Sequence, residues 1–322
     1  MRLPFCTARA RRFTLLFVVS MLVCSGEAYA QGSKARTAGL GWNPPNTESK
    51  IADLSDTPPC SLADVMKMTS ARVTEFVDNL EKFDAIERSE SERVNLQADN
   101  ISETADARFD FMAEFSMVNG NLHLKESRQE LDQNDADAAK LEDVGMPALA
   151  LIFHPNYTSD FTFECLGAAD WDGQPAWVVG FRQIKGKPSR LMAFRTTKGT
   201  FGAKLKGRAW IARDSGQIMH LETNLIEAIG LIGLMANAVS IEYGPVQFHS
   251  ADVKLWLPMA ATAYSQYDKY TIVKKHTYSD FKLFSVGTQS VIEKPKIPAT
   301  PQDAPATAAP EQKTAESPHP KQ

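Results

Sequence analysis

The residues able to do chemistry are few and scattered. His123, His154, His220, His249 and His276 fall one to an element, without the spacing that would place two imidazoles on one metal ion. His220 stands two places before Glu222 on an alternating stretch, so imidazole and carboxylate share one face of a strand. Such a pair could pass a proton in general acid–base catalysis. A solvated strand face gives the same pattern with no catalytic role, and it is the simpler reading. Lys198-Gly199-Thr200-Phe201-Gly202 imitates a phosphate loop but sits between strands and lacks the helix whose N-terminus would hold the anion. Lys274-Lys275-His276 reads as the exposed side of a strand. The acidic loop from Asp132 to Asp143 lacks the glycine at its sixth place and the glutamate at its twelfth that a calcium loop needs. No Gly-x-Ser-x-Gly elbow, His-Glu-x-x-His, Walker loop, Gly-x-Gly-x-x-Gly or Cys-x-x-Cys occurs. The sequence therefore assigns no catalytic residue, no metal ligand and no cofactor, and points to a binding protein rather than an enzyme.

The thiols belong to an export argument. Residues 1–30 read as a secretory signal peptide: Arg2, Arg9, Arg11 and Arg12 precede an apolar run from Phe13 to Cys24, and Ala28-Tyr29-Ala30 supplies the small-residue exit. Arg11-Arg12-Phe13 resembles a twin-arginine signal, but Ala10 precedes it and no cofactor motif follows. Val23 is the wrong neighbour for a lipid anchor on Cys24, so cleavage after Ala30 is expected. Cys6 and Cys24 leave with the signal. Cys60 and Cys165 remain, an even count in an exported chain, where disulfides persist. A Cys60–Cys165 bridge is expected, the alternative being two buried thiols. The signal carries four arginines and one acid, so the net charge of −4 becomes −7 on its removal. That balance, with no Lys/Arg cluster, speaks against a nucleic-acid face. No run of about 18 apolar residues remains to span a membrane.

Residues 31–59 are rich in Gly, Pro, Ser and Thr and read as a flexible linker. Residues 293–322 hold 7 of the 18 prolines and no aromatic residue, a composition expected to stay disordered. One domain over residues 60–292 is left. Ser61 with Asp64 gives a capping start, and Leu62, Val65, Met66, Thr69, Val73, Phe76, Val77 and Leu80 form one stripe at helical spacing. The period then changes to two. Residues 84–97 suggest an exposed strand; Phe109, Phe111, Ala113, Phe115 and Met117 alternate with polar residues, and Asn119-Gly120 is a hairpin signal. Gly145 to Phe153 suggests a short helix stopped by Pro155. Hairpins follow around Asp172-Gly173, Lys198-Gly199 and Asp214-Ser215-Gly216, then three strands over 239–248, 255–267 and 270–284. About nine to eleven strands with short connections predict an α+β fold. In it a large, curved, mostly antiparallel sheet carries a long N-terminal helix and one or two short helices.

One stretch breaks the strand pattern. Residues 228–241 are fourteen in number and uncharged, too short to cross a bilayer. They suggest either a buried helix filling the sheet's concave side or a lid over a cavity. Gly230 and Gly233 each weaken a helix by about 1 kcal/mol, which favours mobility. Ile229, Leu231, Ile232, Leu234 and Met235 are the candidate lining or lid residues, with plain core packing as the alternative for any one of them.

The order of elements, with the hairpin phrase Leu205-Lys206-Gly207-Arg208-Ala209-Trp210-Ile211-Ala212-Arg213-Asp214-Ser215-Gly216-Gln217-Ile218 and the ending Tyr278-Ser279-Asp280-Phe281, resembles the superfamily of periplasmic lipoprotein carriers and receptors, the LolA/LolB/RseB-like proteins. The resemblance spans about residues 60–290. It implies a half-open barrel whose concave, helix-covered face binds acyl chains or a lipidated partner in a bacterial periplasm or cell envelope. Two functions follow as expectations: a binder of lipid or lipoprotein, or a scaffold or sensor domain that contacts another envelope protein and has no small-molecule cavity.

Overall fold

The computed structural model describes residues 39–56, 58–80, 82–131, 142–248 and 253–284. The signal peptide, the tail, His249 and most of the acidic loop, with the calcium question attached to it, lie outside those residues. The fold that follows is that of the unit Leu40–Gln322.

Helix α1 spans Leu62–Asn79, and the Ser61 hydroxyl accepts a hydrogen bond from the Asp64 amide at 3.4 Å, the cap its sequence calls for. Val65, Thr69, Val73 and Val77 are its buried stripe. Thirteen strands are present among the described residues: β1 (Lys82–Asn95), β2 (Asn100–Val118), β3 (Asn121–Glu130), β4 (Glu142–Val144), β5 (Phe161–Trp171), β6 (Gln174–Gln183), β7 (Ala193–Thr196), β8 (Gly199–Gly202), β9 (Leu205–Ala212), β10 (Ile218–Leu225), β11 (Leu234–Phe248), β12 (Val253–Tyr267) and β13 (Tyr270–Phe284). Ten of them form one sheet in the order β3-β2-β1-β13-β12-β11-β10-β9-β6-β5. Its pairings are antiparallel throughout and β3 and β5 remain as edges, so the expected α+β half-open barrel is found. Asn119 and Gly120 sit at φ 52° and 76°, the double positive φ that a two-residue hairpin demands.

The two sheet faces are covered differently. One carries α1 and the 3-10 helix Met146–Phe153, and between them and the strands lie Phe111, Phe153, Phe194, Leu149, Leu151 and Ile211, all essentially without exposure. The opposite face holds a smaller cluster of Ala176, Val178, Trp210, Ala212 and Met219, with Ile51 and Leu54 laid over it.

Several expectations change. The helix expected over 145–153 is 3-10, spanning Met146–Phe153 with seven of its eight residues buried, and it ends before Pro155 as expected. The residue before the proline, His154, is forced extended at ψ 141°, and Pro155 then opens a short helix α2 (Pro155–Thr158), where its missing N–H is harmless. Gly145 must be glycine: its φ is 90°, and a Cβ would sit 1.7 Å from the Leu191 carbonyl oxygen. The hairpin at Lys198-Gly199 joins a separate three-stranded sheet, β4-β7-β8. Strand β1 is not peripheral, for it lies between β2 and β13 and buries Phe83, Ala85 and Glu87. The 228–241 segment forms no filling helix: Gly230–Ile232 is one 3-10 turn, and β11 begins at Leu234.

The described part of the stretch expected as a linker over 31–59 is bonded to the sheet. Asn224 Oδ1 accepts from both the amide and the hydroxyl of Thr47, at 2.8 and 2.7 Å, and its Nδ2 donates to the Pro45 carbonyl at 2.8 Å. Ser55 exchanges backbone hydrogen bonds with Ala168, and Trp42 meets Tyr264 edge-on at 5.7 Å. Pro and Gly make this strand-poor chain look like free linker, but a run with Ile51 and Leu54 on one side can lie over an apolar sheet face.

Candidate functional site

The five candidate residues of the uncharged segment separate by direction. Ile229 and Leu234 close a tight loop by exchanging backbone hydrogen bonds of 2.8 and 3.3 Å. Leu234 is fully buried, and Ile229 and Ile232 pack against the main core. Leu231 and Met235 point to solvent, 75% and 49% exposed. The tip therefore has an apolar foot in the core and two apolar side chains outside it. Lys198 of the β7–β8 turn reaches the Leu231 carbonyl at 3.5 Å.

Cys60 and Cys165 are bonded, with Cα atoms 6.2 Å apart. The bond fixes the chain just before α1 to β5, next to the Ser55–Ala168 bridge. Between residues 47–54 and strands β5, β6 and β9 lies a cavity of about 590 Å³. Of its charged lining residues, Lys206 pairs with Glu48, and Arg208 holds Glu222 at 2.6 Å while donating to the Ser49 carbonyl at 2.9 Å.

His220 and Glu222 share a face, as their spacing requires, but that face is not solvated. His220 is buried, its Nε2 3.4 Å from Glu222 and its Nδ1 2.9 Å from Glu242 across the β10–β11 pair. Burial works against a charged imidazole, but the two carboxylates outweigh it and raise the pKa of His220. Glu222 is lowered: burial opposes its charge, and His220 and Arg208 prevail. The group is an ion-pair network rather than an acid–base pair open to a substrate.

A second polar cluster escaped the sequence reading. Glu87 is fully buried and accepts from Arg128 at 2.6 Å, from Tyr278 at 3.0 Å, and lies 2.8 Å from Nδ1 of His276. Burial pushes its pKa up, yet the His276 contact and the Arg128 charge hold the carboxyl at about 2. The phenol of Tyr278, buried beside that carboxylate, is raised. His276 is thus not part of an exposed basic patch. The signal was legible in part, since Phe83, Ala85 and Glu87 continue one alternation into the core.

No protein-family description matches the chain, and no curated protein matches it. Solved structures similar to it include a DUF1329 family protein from Desulfovibrio piger, 9% identical, covering 70% of this chain and 94% of that one at a TM-score of 0.41. A domain named for outer membrane lipoprotein sorting, from Vibrio parahaemolyticus, is 12% identical over 71% of this chain and 96% of its own, TM-score 0.41. A LolA superfamily protein from Nitrosomonas europaea is 13% identical over 67% and 94%, TM-score 0.34.

Proposed function

We propose that this chain is an exported, non-catalytic binding protein of the bacterial periplasm or cell envelope, and that its ligand is a lipid or the lipidated part of a protein. The observation that carries this is a row of exposed apolar side chains at one end of the sheet. Leu96 and Ile101 flank the β1–β2 turn, and Leu231 and Met235 flank the start of β11; all four are exposed. The Leu96 amide donates to the Lys269 carbonyl at 3.0 Å, and Leu234 pairs with Tyr267, so these turns end together. From β2 to β11 is four strand spacings, about 19 Å. Lys198 and Lys269 are exposed on the same rim. Apolar side chains beside ammonium groups suit the boundary between acyl chains and anionic headgroups. Native mass spectrometry of the protein from its own envelope is expected to retain a phospholipid or acylated peptide. A clean apo mass in repeated preparations, with no sedimentation on phosphatidylglycerol vesicles, overturns the proposal.

The second reading, a scaffold contacting another envelope protein, is favoured by the packing under α1. Phe111, Phe153, Phe194, Leu149 and Ile152 fill that part of the face, and a filled face is what a scaffold without a small-molecule cavity calls for.

A further inference from the structure

A second site is built on the other face, at the end of the sheet away from Leu231. Two strands on either side of β11, β10 and β12, are irregular there. A register shift between Ile218 and His220 turns both Met219 and His220 toward the outer cluster, while Ile218 and Leu221 stay in the main core. A second shift lies in β12 opposite Glu242 and Tyr243, where Met259 is the extra residue, and Glu242 stands on the outer face of β11 beside His220. Bulges of this kind re-aim side chains and concentrate next to binding sites. Together they open a cavity of about 690 Å³ whose lining includes Trp171, Trp256, Met219, Met259, Asp172 and Glu242.

We propose that this cavity binds a small organic cation of the trimethylammonium class. Two indoles line the cavity, two thioethers add polarisable surface, and Asp172 and Glu242 are the charged lining residues, Glu242 being shared with His220. No lysine or arginine is among those residues. A hard metal ion would need six or more oxygen ligands, which this largely carbon wall lacks. The wall is held in place before any ligand arrives. Trp171 is stacked on His220 at 3.8 Å and packed on Trp210 at 5.1 Å, so little ordering is left to oppose binding. Gly244 has a part in the shape: a Cβ there would lie 2.9 Å from Cγ of Met259, so glycine leaves that side chain its place. The site shares no residue with the apolar rim and stands or falls separately from it.

The test is a titration of the mature chain with choline, followed by tryptophan fluorescence. A saturable change is expected with choline and tetramethylammonium, and none with 3,3-dimethylbutan-1-ol, choline's neutral isostere, or with sodium at equal ionic strength. Trp256→Leu should weaken choline by about tenfold. Glu242→Gln should weaken it several-fold and leave the isostere unaffected, with the urea midpoint measured alongside because Glu242 also pairs with His220. Equal binding of choline and its isostere, an unchanged affinity in Glu242→Gln, or no saturable response overturns the proposal. Capture of phosphatidylcholine but not phosphatidylglycerol vesicles together with choline places the cation on a lipid headgroup; choline alone makes it a free solute, and both outcomes support the site.

Discussion

The imidazole of His220 lies flat on the indole of Trp171, ring centroids 3.8 Å apart and planes 13° from parallel. Trp210 closes on the same imidazole edge-on at 4.9 Å, and Glu222 and Glu242 stand at its two nitrogens. An imidazolium between a π-face and two carboxylates is favoured over a neutral ring. The arrangement joins four strands, β5, β9, β10 and β11, around a single imidazole.

It fixes the order in which two buried histidines titrate. His220 should titrate above the ordinary imidazole range, and His154 below it, because burial outweighs the nearby charge of Asp78. A group whose folded pKa lies above its unfolded value adds stability below the unfolded pKa and loses it as pH rises through the folded one. Urea unfolding should therefore show His220→Gln losing more stability at pH 6 than at pH 9. An equal deficit at both would mean the ring is neutral in the fold.

Glu87 has the opposite sign. Its folded pKa, about 2, lies below the unfolded value, so its contribution is complete above about pH 4.5 and disappears as pH falls toward 2. A shift of that size corresponds to about 3 kcal/mol. Glu87→Gln should unfold more easily at pH 7, with the deficit shrinking toward pH 3. Arg128→Met should cost about 3–5 kcal/mol at pH 7, since the carboxylate is then buried without its main countercharge. Chemical denaturation across that range measures both.

What the sequence made legible follows from periodicity. The stripe of Val65, Thr69, Val73 and Val77 and the alternation of Phe111, Ala113 and Phe115 are local patterns, and each is found as helix and strand. The paired cysteines were readable from parity and export alone. What was hidden depends on sequence-distant partners. Glu87 is polar in a polar run, and only Arg128 from β3 and His276 and Tyr278 from β13 make its burial tolerable. His220 looked solvated because the covering Trp171 is 49 residues away in sequence. The uncharged 228–241 run misled for a different reason: apolar length fits a buried helix or a strand equally, and Gly233, at φ 69°, decided for a turn.

Reduction of the Cys60–Cys165 bond should be costly. The cysteines are 105 residues apart, and a loop of that length corresponds to about 4–5 kcal/mol of unfolded-chain entropy. A Cys60→Ser/Cys165→Ser double variant should shift the urea midpoint downward by the equivalent amount. A midpoint insensitive to reductant would mean the bond adds nothing to the folded state.

Asn224 clamps the segment that precedes α1. With three hydrogen bonds to Pro45 and Thr47 removed, Asn224→Ala should release residues 40–56 from the sheet. Limited proteolysis should then cut near Lys50 at a rate the wild-type chain does not show, while the far-ultraviolet spectrum of the sheet is unchanged. Protection equal to wild type would place the holding energy in Ile51 and Leu54 instead.

Within one loop, neighbouring apolar residues should separate binding from folding. Leu234 is fully buried, and Leu234→Ala should cost about 2–5 kcal/mol, as the loss of a packed core side chain does. Leu231 and Met235 touch mostly solvent, so Leu231→Ser/Met235→Ser should move stability by no more than about 0.5 kcal/mol. If the rim meets lipid, the same double variant must lose sedimentation on phosphatidylglycerol vesicles, and Lys198→Gln must weaken it in low salt more than in high salt. Stability and binding falling together would assign the loop to the core alone. Binding lost at full stability would assign its tip to the ligand.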